Sequence, residues 1–154
     1  MRVLAADIGT IRLGFAVTDP LQISAQPLPT RAGGSARQMC KTMLAVLQDF
    51  EAAGQENARV ETVVIGNPIH MNGSASPMSE LAGECVRLLT QYIRQNVKRE
   101  IPVVLWNERL TSVAAERIML EGGARRSERK EKKDQIAAQL ILQGYLDAQK
   151  HTKK

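Results

Sequence analysis

Three acids stand out by their surroundings. Asp7 interrupts the apolar run from Val3 to Ile8, and a lone carboxylate is expensive to bury in such a strand without a compensating partner. Glu108 comes two residues after Trp106, at the end of the run Pro102 to Trp106. Asp134 stands near the start of the last helical pattern. At about 100° per residue it falls roughly 60° from the centre of the stripe made by Ala137, Ile141, Gly144 and Ala148. It is therefore expected to point toward a sheet while its basic neighbours stay in water. Three carboxylates gathered at one sheet edge repel one another and need a cation to coexist. Oxygen donors alone favour Mg²⁺ or Mn²⁺, as one or two ions, over zinc. Neither His70 nor His151 has a second plausible ligand near it in the sequence.

Each acid taken singly also has a structural reading. Asp7 can accept backbone N–H groups in the Ile8-Gly9-Thr10 turn, and Glu108 can pair with Arg109 or Arg12. Asp134 can favour the positive end of the last helix. Their joint placement is what points to metal.

The elements that must position these acids follow from periodicity. Val3 to Ile8 reads as a central strand, apolar on both faces. Gly9-Thr10 turns the chain into a second strand, Leu13 to Thr18, and Asp19-Pro20 turns it again. A third strand is predicted within Gln22 to Thr30. Ser35 caps a helix carrying Met39, Met43, Leu44 and Leu47 at helical spacing. A Val/Ile strand from Glu61 to Gly66 precedes a polar loop, then a helix over about 77–97. Pro102 to Trp106 forms a short strand. Thr111 or Ser112 caps a helix ending at Gly122-Gly123, and a basic loop leads to a last helix over about 132–149. Three strands in a meander followed by βαβ crossovers predict an α/β fold, a mixed five-stranded sheet flanked by helices.

Bulk properties narrow the class. The 154 residues fit one domain, expected over 1–149 with a short basic tail at 150–154. Aromatics make up only 3%, so the core must come from aliphatic side chains and Met. Cys40 and Cys85 lack zinc-site or CxxC spacing and read as reduced core thiols of a cytoplasmic protein. The first apolar run is broken at once by Asp7, which argues against a signal peptide, and no stretch is apolar enough to span a bilayer. Net charge is +5, and it is concentrated. Arg125, Arg126, Arg129, Lys130, Lys132 and Lys133 stand against only Glu128 and Glu131, and Lys150, Lys153 and Lys154 add to them. The rest of the chain is slightly acidic. Such a cluster suggests a polyanionic partner, and the absence of interleaved aromatics argues against base stacking on single strands.

The run Asp7-Ile8-Gly9-Thr10-Ile11-Arg12-Leu13-Gly14-Phe15-Ala16 resembles the opening motif of the YqgF family. Further blocks agree in order: Gly66-Asn67-Pro68 with Met71-Asn72-Gly73-Ser74, Glu108-Arg109-Leu110-Thr111, and Asp134-Gln135-Ile136-Ala137-Ala138 leading to Ile141-Leu142-Gln143. The likeness spans essentially the whole chain. It implies a ribonuclease H-like fold, an acidic metal site at Asp7, Glu108 and Asp134, and nuclease activity on the 5′ end of precursor 16S ribosomal RNA, in the pre-ribosomal particle. By the same resemblance, Thr10, Arg12, Arg109 and Thr111 are candidates to contact the scissile phosphate, with Thr111 equally suited to a helix cap. Arg125, Arg126, Arg129 and Lys130 would hold flanking phosphates, and Lys133 would offset repulsion around Asp134. Asn107 and Asn72 stand where the family usually has acids, and Asn67 where a short apolar residue is commoner. Adjacent residues on a strand face opposite ways, so the site is expected to survive Asn107.

Three other readings compete. Asp-x-Gly-Thr followed by Gly14 also resembles the phosphate loop of actin-like ATPases and sugar kinases, which clamp ATP between two related domains. Branched DNA, as for a Holliday-junction resolvase, is an alternative substrate, since nothing in the sequence reads a 2′-hydroxyl. A non-catalytic RNA-binding assembly factor would retain the same fold.

Overall fold

The computed structural model describes residues 1–67, 77–107 and 126–152, with side chains at 1–67, 77–107 and 135–150. Strands β1 (Arg2–Asp7), β2 (Arg12–Thr18) and β3 (Ala25–Ala32) lead into helix α1 (Ala36–Ala52) and a 3₁₀ turn at Glu56–Ala58. Strand β4 (Val60–Asn67), helix α2 (Pro77–Asn96), strand β5 (Val103–Asn107) and helix α3 (Arg126–Thr152) follow. The sheet order is β3-β2-β1-β4-β5. β1 pairs antiparallel with β2, and β2 with β3, whereas β1–β4 and β4–β5 are parallel. This is the expected mixed sheet, with β1 at its centre.

Each strand divides its side chains between two cores, because successive residues face opposite sides of a sheet. Leu4, Ala6, Leu13, Phe15, Val17, Val63 and Ile65 pack against α1 and α2. Val3, Ala5, Ala16 and Val64 pack against Ala138, Ile141, Leu142 and Leu146 of α3. Burial on both faces explains why the strands read as nearly continuous apolar runs.

Ser35 caps α1 as expected. Its hydroxyl accepts from the Gln38 N–H while the Gln38 side chain accepts from the Ser35 N–H, a full capping box. The cap contributes about 1 kcal/mol. Fully burying Met39, Met43 and Leu47 contributes about 2 kcal/mol each, so the apolar face outweighs the cap in holding the helix.

Two element starts differ from the sequence reading by more than one residue. β3 begins at Ala25, not near Gln22. The Asp19 carboxylate accepts from the N–H groups of Leu21, Ile23 and Ser24, and backbone held in that turn cannot enter a strand ladder. The second difference is larger. The segment taken as a basic loop before a helix at 132 is helical from Arg126. Arg, Lys and Glu are good helix formers, and charge density that reads as loop does not oppose a helix with one wet face. The helix with its cap at Thr111 or Ser112 lies outside the described residues. Among the described residues, no helix is long and apolar enough to cross a membrane.

Candidate active site

Asp7 ends the central strand, half-buried between the buried Ala6 and Ile8. By the alternation of β1 it shares the face of Val3 and Ala5, the face that α3 covers. That face is laid out in rows toward the carboxyl end of the strands. Val3 comes first. Next come Ala5 and its partner Ala16, with Val64 and Val104 beyond. Then comes Asp7, paired with Gly14. On its other side, one step past the Ala6–Ile65 pair, lies Gly66, itself in register with Trp106. The carboxylate is therefore flanked across both neighbouring strands by residues without side chains. Sequence reasoning quoted Gly14 and Gly66 as motif residues but missed this role, because only register brings them beside Asp7.

The turn after Asp7 is tightly closed. The Gly33 N–H donates to the Ile11 carbonyl at 2.8 Å. A Cβ at Gly33 would collide with the Gly9 carbonyl oxygen and lie 2.8 and 2.9 Å from backbone atoms of Thr10 and Arg12, so no side chain fits there. The turn exposes Thr10 and leaves Arg12 half-buried at the start of β2. Both candidate phosphate contacts thus stand at the same end of the sheet as Asp7.

α3 runs antiparallel to β1. Leu146, Gln149 and Lys150 stand beside Pro20 to Ile23, the β2–β3 turn at the amino end of β1. At the other end, Gln135 Nε2 donates to the Leu28 carbonyl at 3.1 Å. Leu28 pairs with Phe15, and Phe15 with Ala6, the residue before Asp7. Helix position 134 accordingly reaches the Asp7 end of the sheet. With the helix starting at Arg126, Asp134 sits in its third turn, beyond the reach of the N-terminal dipole invoked as its simpler explanation. It stands four residues before Ala138 and seven before Ile141, in line with them along the helix backbone.

On β5, Val104 and Trp106 pack with the α3 core. The Trp106 indole reaches α3 at Gly144, where a Cβ would lie 3.0 Å from Nε1, and meets the Tyr145 ring edge-on at 5.9 Å. Asn107 is exposed and has the opposite parity. It pairs in register with Asn67, whose Oδ1 accepts from the Ser79 hydroxyl at 2.7 Å. Asn67 and Asn107 thus belong to the face that α2 covers, away from Asp7. Asn67, unusual against the family pattern, is a structural link between β4 and α2.

Glu108, Arg109, Thr111, Arg125 and Asn72 lie outside the described residues. Arg126, Arg129, Lys130, Lys133 and Asp134 are located by helix backbone alone. Among the described residues, no three His, Cys, Asp or Glu side chains gather as a metal cluster. Cys40 and Cys85 are fully buried between α1 and α2, in the core on the other face of the sheet. Soft ligands are thus remote from Asp7. The described donor between Gly14 and Gly66 is the Asp7 carboxylate, and oxygen donors suit a hard divalent cation.

Comparison with known proteins agrees with this architecture. Residues 1–148 match the family model described as "RuvX: Holliday junction resolvase". A Clostridium botulinum protein (strain Eklund 17B) named "Putative pre-16S rRNA nuclease" is 38% identical over 147 residues, covering 96% of this chain and 97% of its own length. Another of that name, from strain Hall, is 38% identical over 148 residues, covering 96% and 98%. Among solved structures, the fowlpox virus Holliday junction resolvase superposes with a TM-score of 0.55 at 13% identity, over 96% of this chain and 99% of that one. Thermus thermophilus RuvC in complex with a Holliday junction gives 0.52 at 17% identity, over 92% and 91%. At such identities the likeness shows the fold, which is ribonuclease H-like.

Proposed function

The chain belongs to the RuvX (YqgF) family, and from that premise we propose that it is a metal-dependent nuclease acting on the 5′ end of precursor 16S ribosomal RNA. Asp7, Glu108 and Asp134 are its acidic site, holding one or two Mg²⁺ or Mn²⁺ ions. The observation that carries this reading is the setting of Asp7: half-buried at the carboxyl end of the central strand, between Gly14 and Gly66, on the face and at the end that helix position 134 reaches. Ligands of open α/β sheets bind beyond such strand ends.

Glu108 follows Asn107, the last residue of β5, in the sequence, and its place in the site rests on the family motif. Asn107, on the face of β5 opposite Val104 and Trp106, is left out of it. The acids would hold a divalent cation, which when bound would supply activation of water and stabilisation of the leaving oxygen. The chain's own residues do the rest. Asp7, on the most central strand, would be the principal ligand of that cation. Thr10 and Arg12 hold the scissile phosphate from the closed turn, and Arg109 and Thr111 contribute to the same contact. Arg125, Arg126, Arg129 and Lys130 grip flanking phosphates, which positions the strand without reading its sequence, and Lys133 tempers repulsion at Asp134. Precursor RNA as substrate rests on the name shared by relatives 38% identical over nearly their full length. The reading makes the protein cytoplasmic, with precursor RNA or a pre-ribosomal particle as its partner.

Branched DNA is a second reading, favoured by the family's description. The test is to incubate the full chain with precursor 16S RNA and with a four-way DNA junction, with and without Mn²⁺. Metal-dependent shortening of the RNA 5′ end, lost in Asp7→Asn while RNA binding persists, is the expected result. Unchanged cleavage by Asp7→Asn would sink the site, and cleavage of the junction alone would select the second reading. Binding of RNA with no cleavage at all would leave an assembly factor.

A further inference from the structure

Helix α3 is fixed to the sheet differently at its two ends. Toward its C-terminus, Ile141, Leu142 and Leu146 are large and almost fully buried against Val3, Ala5 and Val64. Toward position 134 the buried residues are Ala137 and Ala138. Alanines allow close approach, but they do not interdigitate, so they resist sliding and rolling poorly. At this end the described polar contacts are two glutamines four residues apart. Gln135 Nε2 donates to the Leu28 carbonyl at 3.1 Å, and Gln139 Nε2 donates to the Ala25 carbonyl at 3.2 Å. Both acceptors lie on β3, the edge strand, stiffened by Pro27 and Pro29. The same strand ends at Ala32, and the next residue, Gly33, holds the turn after Asp7 through its bond to Ile11. One strand therefore contacts both the turn that follows Asp7 and the helix residue that follows Asp134.

We propose that Gln135 is a positioning residue: its hydrogen bond to Leu28 on β3 sets the height of the Asp134 turn of α3 over Asp7, and so sets the affinity of the site for its divalent cation. The inference rests on the metal-site reading above. A 107-residue separation joins Gln135 to Leu28, so neither helix propensity nor local sequence supplies this constraint. Gln139 serves as the internal control. It makes the same kind of bond to the same strand, one turn farther from Asp134, next to a helix segment already locked by Ile141 and Leu142.

The experiment compares Gln135→Met and Gln139→Met in the full chain, measuring Mn²⁺ binding by calorimetry alongside thermal unfolding. Each variant keeps side-chain length and loses one hydrogen bond, so both should lose a similar amount of stability, about 2–4 °C in Tm. Gln135→Met should bind Mn²⁺ about tenfold more weakly, the usual penalty for removing a group that orients a ligand. Gln139→Met should stay within about twofold of the parent. Equal weakening in both variants, or none in Gln135→Met, overturns the positioning role. Asp7→Asn measured in parallel separates the two ideas: if it binds Mn²⁺ as well as the parent, the metal site itself is wrong. If it has lost Mn²⁺ while the glutamine variants match each other, only the positioning role falls.

Discussion

Asp7 on β1 and Gly14 on β2 are cross-strand partners, so the nearest neighbour of the carboxylate on that side contributes no side chain. Gly14 is buried. Adding one methyl group should crowd the space beside Asp7 before it disturbs the rest of the sheet. Gly14→Ala is expected to keep its far-ultraviolet circular dichroism and to lose metal-dependent cleavage about tenfold or more. Full activity in that variant would mean the gap beside Asp7 goes unused.

Asn107 separates parity from motif resemblance. It is exposed, on the face opposite Val104 and Trp106. Restoring the acid usual in the family, as Asn107→Asp, should change cleavage and Mn²⁺ affinity by less than about twofold. A large gain in metal affinity would show that an acid at 107 reaches the ion after all.

Gly33 supports the turn through backbone contact alone. A Cβ there collides with the Gly9 carbonyl, and the cost of such overpacking is about 1–3 kcal/mol. Gly33→Ala should lower the urea midpoint of unfolding accordingly. Because the displaced backbone belongs to the turn bearing Thr10 and Arg12, cleavage should fall further than stability explains. The comparison is activity measured where both proteins are fully folded.

Asp19 gives a pH prediction remote from the site. Hydrogen bonds from the backbone of Ser24, then Ile23 and Leu21, hold its carboxyl below the ordinary 3.8. A group depressed in the folded state contributes stability above its unfolded pKa, and that contribution disappears as pH falls through the lower folded value. Asp19→Asn should therefore be less stable than the parent at neutral pH. The gap in Tm should narrow below about pH 4 and close as the folded carboxyl protonates. A gap independent of pH would show that the charge is not what the turn uses.

The two thiols offer a test of the core. Cys40 Sγ donates to the Cys85 carbonyl at 3.4 Å, and both residues are fully buried. The neighbouring Cys85 sulfur and burial push the Cys40 thiol up. Burial keeps both thiols away from a water-soluble reagent. Neither cysteine should react quickly with a water-soluble disulfide reagent in the native protein, and both should react on unfolding in urea. Rapid labelling of either would show that the α1–α2 interface opens.

The elements of this protein were legible because their signals are local. Asp7 in an apolar run, Ser35 three residues before Gln38, and Val/Ile segments bounded by Pro and Gly each report a period or a cap within a few residues. Among the described residues they determined the element types and their order, and they singled out Asp7. The start of β3 and the start of α3 were misread because a side chain captured the backbone at Asp19 and because charge density resembles loop. Which residues share the surroundings of Asp7 was decided only by tertiary structure. Gly14 and Gly66 come beside it through cross-strand register, and helix position 134 reaches the same end because α3 packs antiparallel to β1. Register and packing direction join separate segments of the chain, and no periodicity within a segment encodes them.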